Sequence, residues 1–157
     1  MMAPAPQGYR PCVGILLLNS SGGIFVGERI DTPGAWQMPQ GGINDGETAK
    51  KAGYRELEEE TGISMFSFLE ISRTWRCYEL PLELRHKVWQ GRYKGQAQLW
   101  LALHFVGENN DIKLPTQKAE FQDWKWTDPI TLLNEIVDFK RKVYRDVLEE
   151  FAPFIGS

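Results

Sequence analysis

The sequence predicts an α/β protein, a mixed α/β sandwich in which strands surround one central helix and a further helical region ends the chain. Three observations support this fold class. Short apolar runs bounded by Gly, Pro, Asn and Ser predict strands before and after the middle of the chain. Residues 48–60 have high helix propensity and are followed by Gly62, which suits a helix C-terminal cap. Residues 129–151 are amphipathic and predict the second helical region.

Two strands and a loop are predicted ahead of the central helix. Residues 13–18 and 24–28 are apolar runs, and the turn sequence at 19–23 joins them as a hairpin. Residues 40–46 contain four Gly and Asn positions that tolerate unusual backbone angles. This segment is therefore predicted to be a loop that leads into the helix.

The part of the chain after the central helix predicts further strands at residues 66–78, 96–106 and 121–127. Trp124 and Trp126 lie on one face of the last of these strands. Residues 81–92 predict a loop with a short helical turn. The final helical region is expected to break near Phe139.

Composition limits the class of protein. The 157 residues, 42% of them hydrophobic, predict a single globular domain over residues 8–157 after a flexible tail at residues 1–7. A formal net charge of −3 argues against indiscriminate binding to nucleic acid. Two Cys and two His do not predict a disulfide framework or a zinc site. No apolar run approaches the roughly 18 residues that span a bilayer, and no secretory leader is present, so we expect a cytoplasmic protein without membrane association.

Three glutamates in the central helix are the first sign of a functional site. Glu56, Glu59 and Glu60 are spaced i, i+3 and i+4 and therefore share one helix face, where like charges repel each other. Glutamates on a helix commonly form a solvent-exposed face, and this is the simpler interpretation of the cluster. The alternative is that Mg²⁺, which prefers carboxylate oxygens and keeps positions for substrate phosphates, neutralises them.

The wider pattern favours the metal. Gly41 and Glu47 precede the run Arg55-Glu56-Leu57-Glu58-Glu59-Glu60-Thr61-Gly62-Ile63, and together they fill every defined position of a motif that resembles the Nudix box. The resemblance implies a Nudix fold, an α/β/α sandwich with a mixed central sheet and a loop–helix–loop catalytic element. It also implies a hydrolase that cleaves nucleoside diphosphates linked to another group, with Mg²⁺ as cofactor and Mn²⁺ as a possible substitute.

Within this motif, the resemblance and the chemistry together assign roles. Glu47 and Arg55 are expected to form an ion pair that fixes the loop to the helix. Ala52 and Leu57 are expected to point inward, and Glu58 to lie on a different, solvated face. The implied metal ligands are Gly41, Glu56, Glu59, Glu60 and Glu120. The implied catalytic residues are Arg55, Glu56, Glu59 and Glu120, and Glu59 is our first choice for the general base, although a glutamate outside the motif remains an alternative.

The resemblance extends over residues 8–153 to one branch of the family, through GYRPCVGI, AWQMPQGGI, GQAQLW, AEFQDWKW and FKRKVY. Members of this branch act on the 5′ end of RNA or on dinucleoside polyphosphates. By comparison, the expected substrate-binding residues are Arg10, Arg29, Gln40, Tyr78, Phe139 and Lys140, with Gln98 as a weaker candidate. Arg29 and Phe139 could hold a nucleobase between them. In the alternative interpretation, Arg29 forms a surface ion pair and Phe139 belongs to the core.

The expected function is Mg²⁺-dependent hydrolysis of a phosphoanhydride bond. We favour removal of pyrophosphate from 5′-triphosphorylated RNA. The alternative is asymmetric cleavage of diadenosine tetraphosphate into ATP and AMP, which the downstream Tyr78 fits. A non-catalytic nucleotide sensor is disfavoured, because no metal-binding glutamate of the motif is missing. No obligate protein partner is evident.

Overall fold

The computed structural model describes residues 3–155, which contain eight strands and four α-helices. The strands are β1 (Tyr9–Leu18), β2 (Ile24–Arg29), β3 (Trp36–Gln37), β4 (Gln40–Gly42), β5 (Phe66–Ile71), β6 (Arg76–Glu79), β7 (Gly95–Phe105) and β8 (Phe121–Thr127). The α-helices are α1 (Ala49–Thr61), α2 (Leu82–Arg85), α3 (Pro129–Glu135) and α4 (Arg141–Glu150). Short 3₁₀ turns lie at Trp89–Gly91, Asn109–Asp111, Asp138–Lys140 and Ala152–Phe154.

A mixed sheet is built around β1. This strand runs parallel to β7 along its whole length and antiparallel to β2 and β4. The strand β7 also pairs antiparallel with β5 and β6, and β2 pairs antiparallel with β3 and β8. The predicted hairpin of the first two strands is confirmed, with Leu18 opposite Ile24.

Helices cover both faces of this sheet. Successive side chains of β1 point to opposite sides and are apolar on both, so each face needs a packing partner. Val13, Ile15 and Leu17 pack in one core cluster with Ala52 and Leu57 of α1. Leu16 and Leu18 pack in a second cluster, which contains Leu132 of α3 and Val143, Tyr144 and Val147 of α4. The predicted α/β/α sandwich with a mixed central sheet is therefore confirmed.

Two local predictions were wrong in detail. Residues 40–42 form β4 rather than loop, because their backbone pairs with Cys12, Val13 and Gly14 of β1. Residues 66–78 form two strands rather than one, since Ser72 is fully buried and its hydroxyl donates to the carbonyl of Thr74. The first difference depends on a pairing partner that is distant in sequence, and the second on one buried side chain. Local strand propensity predicts neither.

The end of the domain follows the prediction more closely. The expected break near Phe139 is present, since α3 ends at Glu135 and α4 begins at Arg141, with a 3₁₀ turn between them. None of the helices within residues 3–155 is long and apolar enough to cross a membrane. Both cysteines in this part of the chain are free.

The two ends of the sequence lie partly outside the described residues. Residues 1–2 of the predicted tail and residues 156–157 of the predicted domain are in this category. Residues 3–6 have no regular secondary structure, and the carbonyl of Ala3 accepts a hydrogen bond of 2.8 Å from the indole of Trp75. The flexibility of the tail and the domain boundaries stay predictions.

Candidate active site

The helix α1 is fixed firmly at both ends and along its buried face. The Thr48 hydroxyl accepts from the Lys51 amide at its N-terminus, and Gly62 adopts a left-handed φ of 75° at its C-terminus as predicted. Ala52 and Leu57 are fully buried, as expected. At Gly53, an added Cβ would lie 2.5 Å from the Leu101 side chain, so a larger residue there would force Leu101 of β7 to move.

The four glutamates of the helix differ strongly in exposure. Glu60 is buried, with 6% of its surface accessible. The Glu56 side chain is 17% exposed and the Glu59 side chain 59% exposed. Glu58 is exposed and lies off the shared face, as predicted. The cluster therefore runs from the protein interior at Glu60 to solvent at Glu59.

Glu60 has an unusual electrostatic environment. Its Oε2 atom is buried and has no hydrogen-bond partner in the protein. Burial raises the pKa of Glu60 well above its usual value, and the nearby carboxylates of Glu56 and Glu120 raise it further. Burial also raises the pKa of Glu56, although Arg55 opposes this shift. A buried carboxylate without a partner is costly, so this position favours a cation.

Arg55 connects the helix to the loop that precedes it. Its guanidinium makes a bidentate pair with Glu47, with Nε–Oε2 and Nη2–Oε1 distances of 2.8 and 2.9 Å. It also donates to the Gly42 carbonyl, to Glu56 at 2.8 Å and to Glu59 at 3.4 Å. Hydrogen bonds from Arg55 lower the pKa of Glu47 to about 2, which keeps the pair ionised. The predicted ion pair between Glu47 and Arg55 is present.

The glycines of β4 bring backbone directly against these side chains. A Cβ added to Gly41 would lie 2.1 Å from Cδ of Glu56, and one added to Gly42 would lie 2.2 Å from a guanidinium nitrogen of Arg10. Any larger residue would displace Glu56 or Arg10. The Gly41 backbone therefore lies beside the carboxylate cluster, as the sequence predicted.

Glu120 reaches the same cluster from outside the helix. It lies just before β8, and its carbonyl accepts a 3.1 Å hydrogen bond from the Ile30 amide, which ties this segment to the end of β2. Its side chain is exposed, yet its charge raises the pKa values of both Glu56 and Glu60. Glu120 is therefore electrostatically part of the cluster.

The donor set suits a hard divalent cation. Within residues 3–155, no three acidic, imidazole or thiol side chains already converge on one point as metal ligands would. The unpartnered buried oxygen of Glu60 and the Glu56 carboxylate beside the Gly41 backbone are nevertheless available oxygen donors. Oxygen-only donors of this kind select Mg²⁺ or Mn²⁺ over softer metals.

A cavity of about 470 Å³ opens beside the cluster. It includes five of the six predicted substrate-binding residues, together with Glu120, which connects it to the carboxylates. The residues that line it are Arg29, Asp31, Thr32, Gln37, Gln40, Tyr78, Leu80, Leu84, Val88, Trp89, Gln96, Glu120, Val137, Phe139 and Lys140. A cavity of this size, lined by both apolar and hydrogen-bonding side chains, suits a nucleotide.

Glutamine side chains form the polar floor of this cavity. Gln98 donates to Gln40 at 2.6 Å, and Gln96 donates to the Tyr78 hydroxyl. Gln96 also accepts a 2.7 Å hydrogen bond from Arg10. Arg10, the remaining predicted substrate-binding residue, is thereby held between the cavity floor and Gly42 beside the catalytic loop.

Arg29 and Phe139 combine features of the two interpretations left open by the sequence. Arg29 makes an ion pair of 2.7 Å with the exposed Asp31, and Phe139 packs on the core with its ring 5.7 Å from that of Tyr78. Both residues nevertheless line the cavity. The exposed ion pair is weak enough to open when a ligand enters.

Lys140 is a buried cation in the same cavity. It is 6% exposed, donates to Gln37 at 3.1 Å and lies 5.5 Å from the centre of the Tyr78 ring. Burial lowers the pKa of Lys140 from 10.5 to about 8, and repulsion by Arg29 adds to the shift. Its charge therefore destabilises the free protein at neutral pH.

Replacing Lys140 by Met should increase stability at neutral pH. Below the lowered pKa of about 8, Lys140 is protonated in both the folded and the unfolded chain, and burial of its charge lowers the free energy of unfolding. Between pH 8 and 10.5 the folded protein loses this proton before the unfolded chain does, so the free energy of unfolding rises and the penalty disappears. We expect the free energy of unfolding at pH 7 to be about 2–3 kcal/mol higher for Lys140→Met than for the wild type. Near pH 10.5 this difference should vanish. Denaturant unfolding at both pH values measures it, and a difference independent of pH would contradict the assignment.

The sequence did not predict several walls of the cavity. No site role was predicted for Trp89, Gln37, Gln96, Leu84 or Val88, which all line the cavity. The alternation of Gln96 and Gln98 on one face of β7 was a usable signal, since two buried glutamines in a core strand need polar partners. For Trp89, no local signal existed in a segment that predicts a loop with a short helical turn.

Fold and site together define a hydrolase of phosphoanhydrides, and the chain belongs to the Nudix family: a NUDIX domain model matches residues 8–147. The chain is 51% identical to the RNA pyrophosphohydrolase of Novosphingobium aromaticivorans, with 94% of each protein covered. It is 49% identical to the RNA pyrophosphohydrolase of Rhodospirillum rubrum, over 98% of this chain and 93% of the relative. Hydrolases of the family generally need a divalent cation.

Solved structures share the fold at much lower identity. The dihydroneopterin triphosphate pyrophosphohydrolase of Escherichia coli has a TM-score of 0.70 at 20% identity, covering 92% of this chain and 99% of the other. An Ap4A hydrolase of Caenorhabditis elegans, in a binary complex, has a TM-score of 0.68 at 19% identity, with the same coverage. At such identity the likeness establishes the fold alone.

Proposed function

We propose that this protein removes pyrophosphate from the 5′ end of triphosphorylated RNA in a reaction that depends on Mg²⁺. The observation that carries the proposal is the continuity between the carboxylate cluster and the 470 Å³ cavity, since Glu120 belongs to both. The cluster suits the phosphates and the cavity suits the nucleoside attached to them. The names of the relatives at 51% and 49% identity support RNA as the substrate class.

The proposed metal ligands are the carboxylates of Glu56, Glu59, Glu60 and Glu120 and the backbone of Gly41. When bound, Mg²⁺ polarises the phosphoryl group, lowers the pKa of water and neutralises charge on the leaving group. Glu60 would provide the buried anchor of the site, because its oxygen has no other partner. Arg55 would orient Glu56 and Glu59, with which it already makes hydrogen bonds.

Glu59 is the proposed general base. It is the most exposed carboxylate of the shared face, so a water molecule can reach it, and Arg55 holds it at 3.4 Å. The water oxygen bonds to phosphorus, its proton passes to the carboxylate, and the bridging P–O bond breaks to release pyrophosphate. Glu120, which is also exposed, is the alternative base. Arg10, fixed by Gln96 against Gly42, would contact the phosphates.

The nucleobase is proposed to lie in the cavity between Arg29 and Phe139. The guanidinium and the aromatic ring would stack on opposite faces of the base. Lys140, Gln37 and Gln40 would present hydrogen-bonding groups to its edge, and Tyr78 would support Phe139 from behind. The relatives named RNA pyrophosphohydrolase are bacterial proteins, and bacterial RNA is made in the cytoplasm, so we propose that the enzyme acts there.

A matched comparison of substrates tests the proposal. Purified protein with Mg²⁺ is given 5′-triphosphorylated RNA, diadenosine tetraphosphate and ADP-ribose at equal concentrations, and the products are separated by chromatography. We expect kcat/KM to be highest for RNA, with pyrophosphate as product. Rapid cleavage of diadenosine tetraphosphate with intact RNA would instead support the asymmetric hydrolase, whose product pair is ATP and AMP.

A further inference from the structure

A second groove lies across the segment that walls the nucleotide cavity. It has a volume of about 410 Å³ and is lined by Gly8, Leu82, Arg85, His86, Gly91, Arg92, Tyr93 and Lys94. Leu84, Val88 and Trp89 of the same segment line the nucleotide cavity. Residues 81–94 therefore separate the two spaces and contribute side chains to both.

This segment is basic in an otherwise acidic protein. Residues 81–94 contain four Lys or Arg and one Glu, a formal net charge of +3, whereas the whole chain carries −3. Arg85 is paired with Glu79 at 2.7 Å. Arg92 and Lys94 are exposed and have no carboxylate partner within residues 3–155. These two charges are available to an anion from solution.

Aromatic rings hold the two free cations in place and connect them to the nucleotide cavity. Arg92 lies 5.4 Å from the centre of the Tyr93 ring, and Lys94 lies 4.8 Å from that of Tyr9. The Tyr93 ring contacts Trp89 edge to face at 6.2 Å. Arg10 in turn lies 5.2 Å over the Trp89 ring. A continuous series of contacts thus runs from Arg10 through the rings of Trp89 and Tyr93 to Arg92 in the second groove.

We propose that the second groove binds the sugar-phosphate chain of RNA downstream of the nucleotide held in the cavity. The inference rests on the proposed function and extends it from the 5′ end to the body of the substrate. Exposed cations beside an aromatic ring suit single-stranded RNA, whose phosphates would pair with Arg92 and Lys94 while a base stacks on Tyr93. A dinucleoside polyphosphate has no such chain, so the groove would discriminate between the two substrate classes.

Binding of RNA of two lengths tests the groove without requiring turnover. The probes are 5′-monophosphorylated RNAs of about 3 and about 20 nucleotides with the same 5′ sequence, and the variant is R92Q/K94Q. We expect the wild type to bind the longer RNA about tenfold more tightly, and the variant to bind both equally. The salt slope of binding to the longer RNA should fall by about 1.4, since each lost phosphate contact contributes about 0.7 for single strands.

The matched control is K113Q/R145Q, which removes the same number of exposed cations elsewhere. This control variant should still bind the longer RNA more tightly than the shorter one. That result would show that the loss in R92Q/K94Q comes from contacts in the groove and not from the change in net charge. A length effect retained in R92Q/K94Q, or lost equally in the control, would overturn the proposal, and so would equal binding of both RNAs by the wild type. Turnover of triphosphorylated RNA by the wild type is measured in parallel. Length-dependent binding without turnover would support the groove while contradicting the proposed function.

Discussion

Glu59→Gln should lower kcat by about 10³-fold, with little change in KM, because the amide cannot accept the proton of the attacking water. Glutamine has nearly the same shape, and the side chain is largely exposed, so the fold should be unaffected. Steady-state kinetics on triphosphorylated RNA at saturating Mg²⁺ measure the effect. Circular dichroism and thermal unfolding confirm that the variant is folded.

The neighbouring Glu58→Gln is the matched control. Glu58 is exposed, lies on the same helix and carries the same charge, but it is off the shared face. Its replacement should leave kcat within about twofold of the wild type, as is usual for an exposed surface position. Wild-type turnover by Glu59→Gln together with a large loss in Glu120→Gln would move the role of general base to Glu120. Equal losses in Glu58→Gln and Glu59→Gln would mean that helix charge, rather than a specific proton acceptor, explains the effect.

The sequence predicted α1 and its glutamate face well, because their determinants are close together in the chain. Glu47 and Arg55 are eight residues apart, and the helix repeat places Glu56, Glu59 and Glu60 on one face without any tertiary information. The helix cap at Gly62 is equally local. The resemblance to the motif implied that Ala52 and Leu57 point inward. All of these features are present in the structure.

The depth and walls of the site could not be predicted in the same way. The helix repeat places Glu59 and Glu60 on one face, yet Glu59 is exposed and Glu60 is buried. Their exposure depends on how α1 packs against β1 and β4, which the repeat does not contain. Trp89 reaches the cavity because it and Gln90 adopt left-handed φ angles of 49° and 59°. Such angles are uncommon for residues other than Gly, Asn and Asp, and nothing in the local sequence indicates them.

Glu60→Gln should remove the stabilisation of the folded protein by Mg²⁺. If Glu60 is the buried anchor of the metal, saturating Mg²⁺ at about 100 times its Kd stabilises the wild type by about 3 kcal/mol. For a chain of this size that raises the Tm by about 5–10 °C. The variant should show almost none of this rise, because a neutral amide replaces the buried charge that the cation neutralises. Thermal unfolding with MgCl₂ and with a chelator measures the difference, and Glu58→Gln should behave like the wild type.

Without metal, the same substitution should have the opposite effect on stability. The pKa of Glu60 is raised in the folded protein, so the unionised form is favoured there and the ionised form in the unfolded chain. Stability from this group is therefore lost as pH rises from the ordinary carboxyl pKa towards the raised one. In chelator at about pH 8, Glu60→Gln should unfold at a higher temperature than the wild type, since a buried amide costs less than a buried unpaired charge. A variant that is less stable in chelator and still responds fully to Mg²⁺ would show that Glu60 is a structural residue and that the metal is held by the other carboxylates.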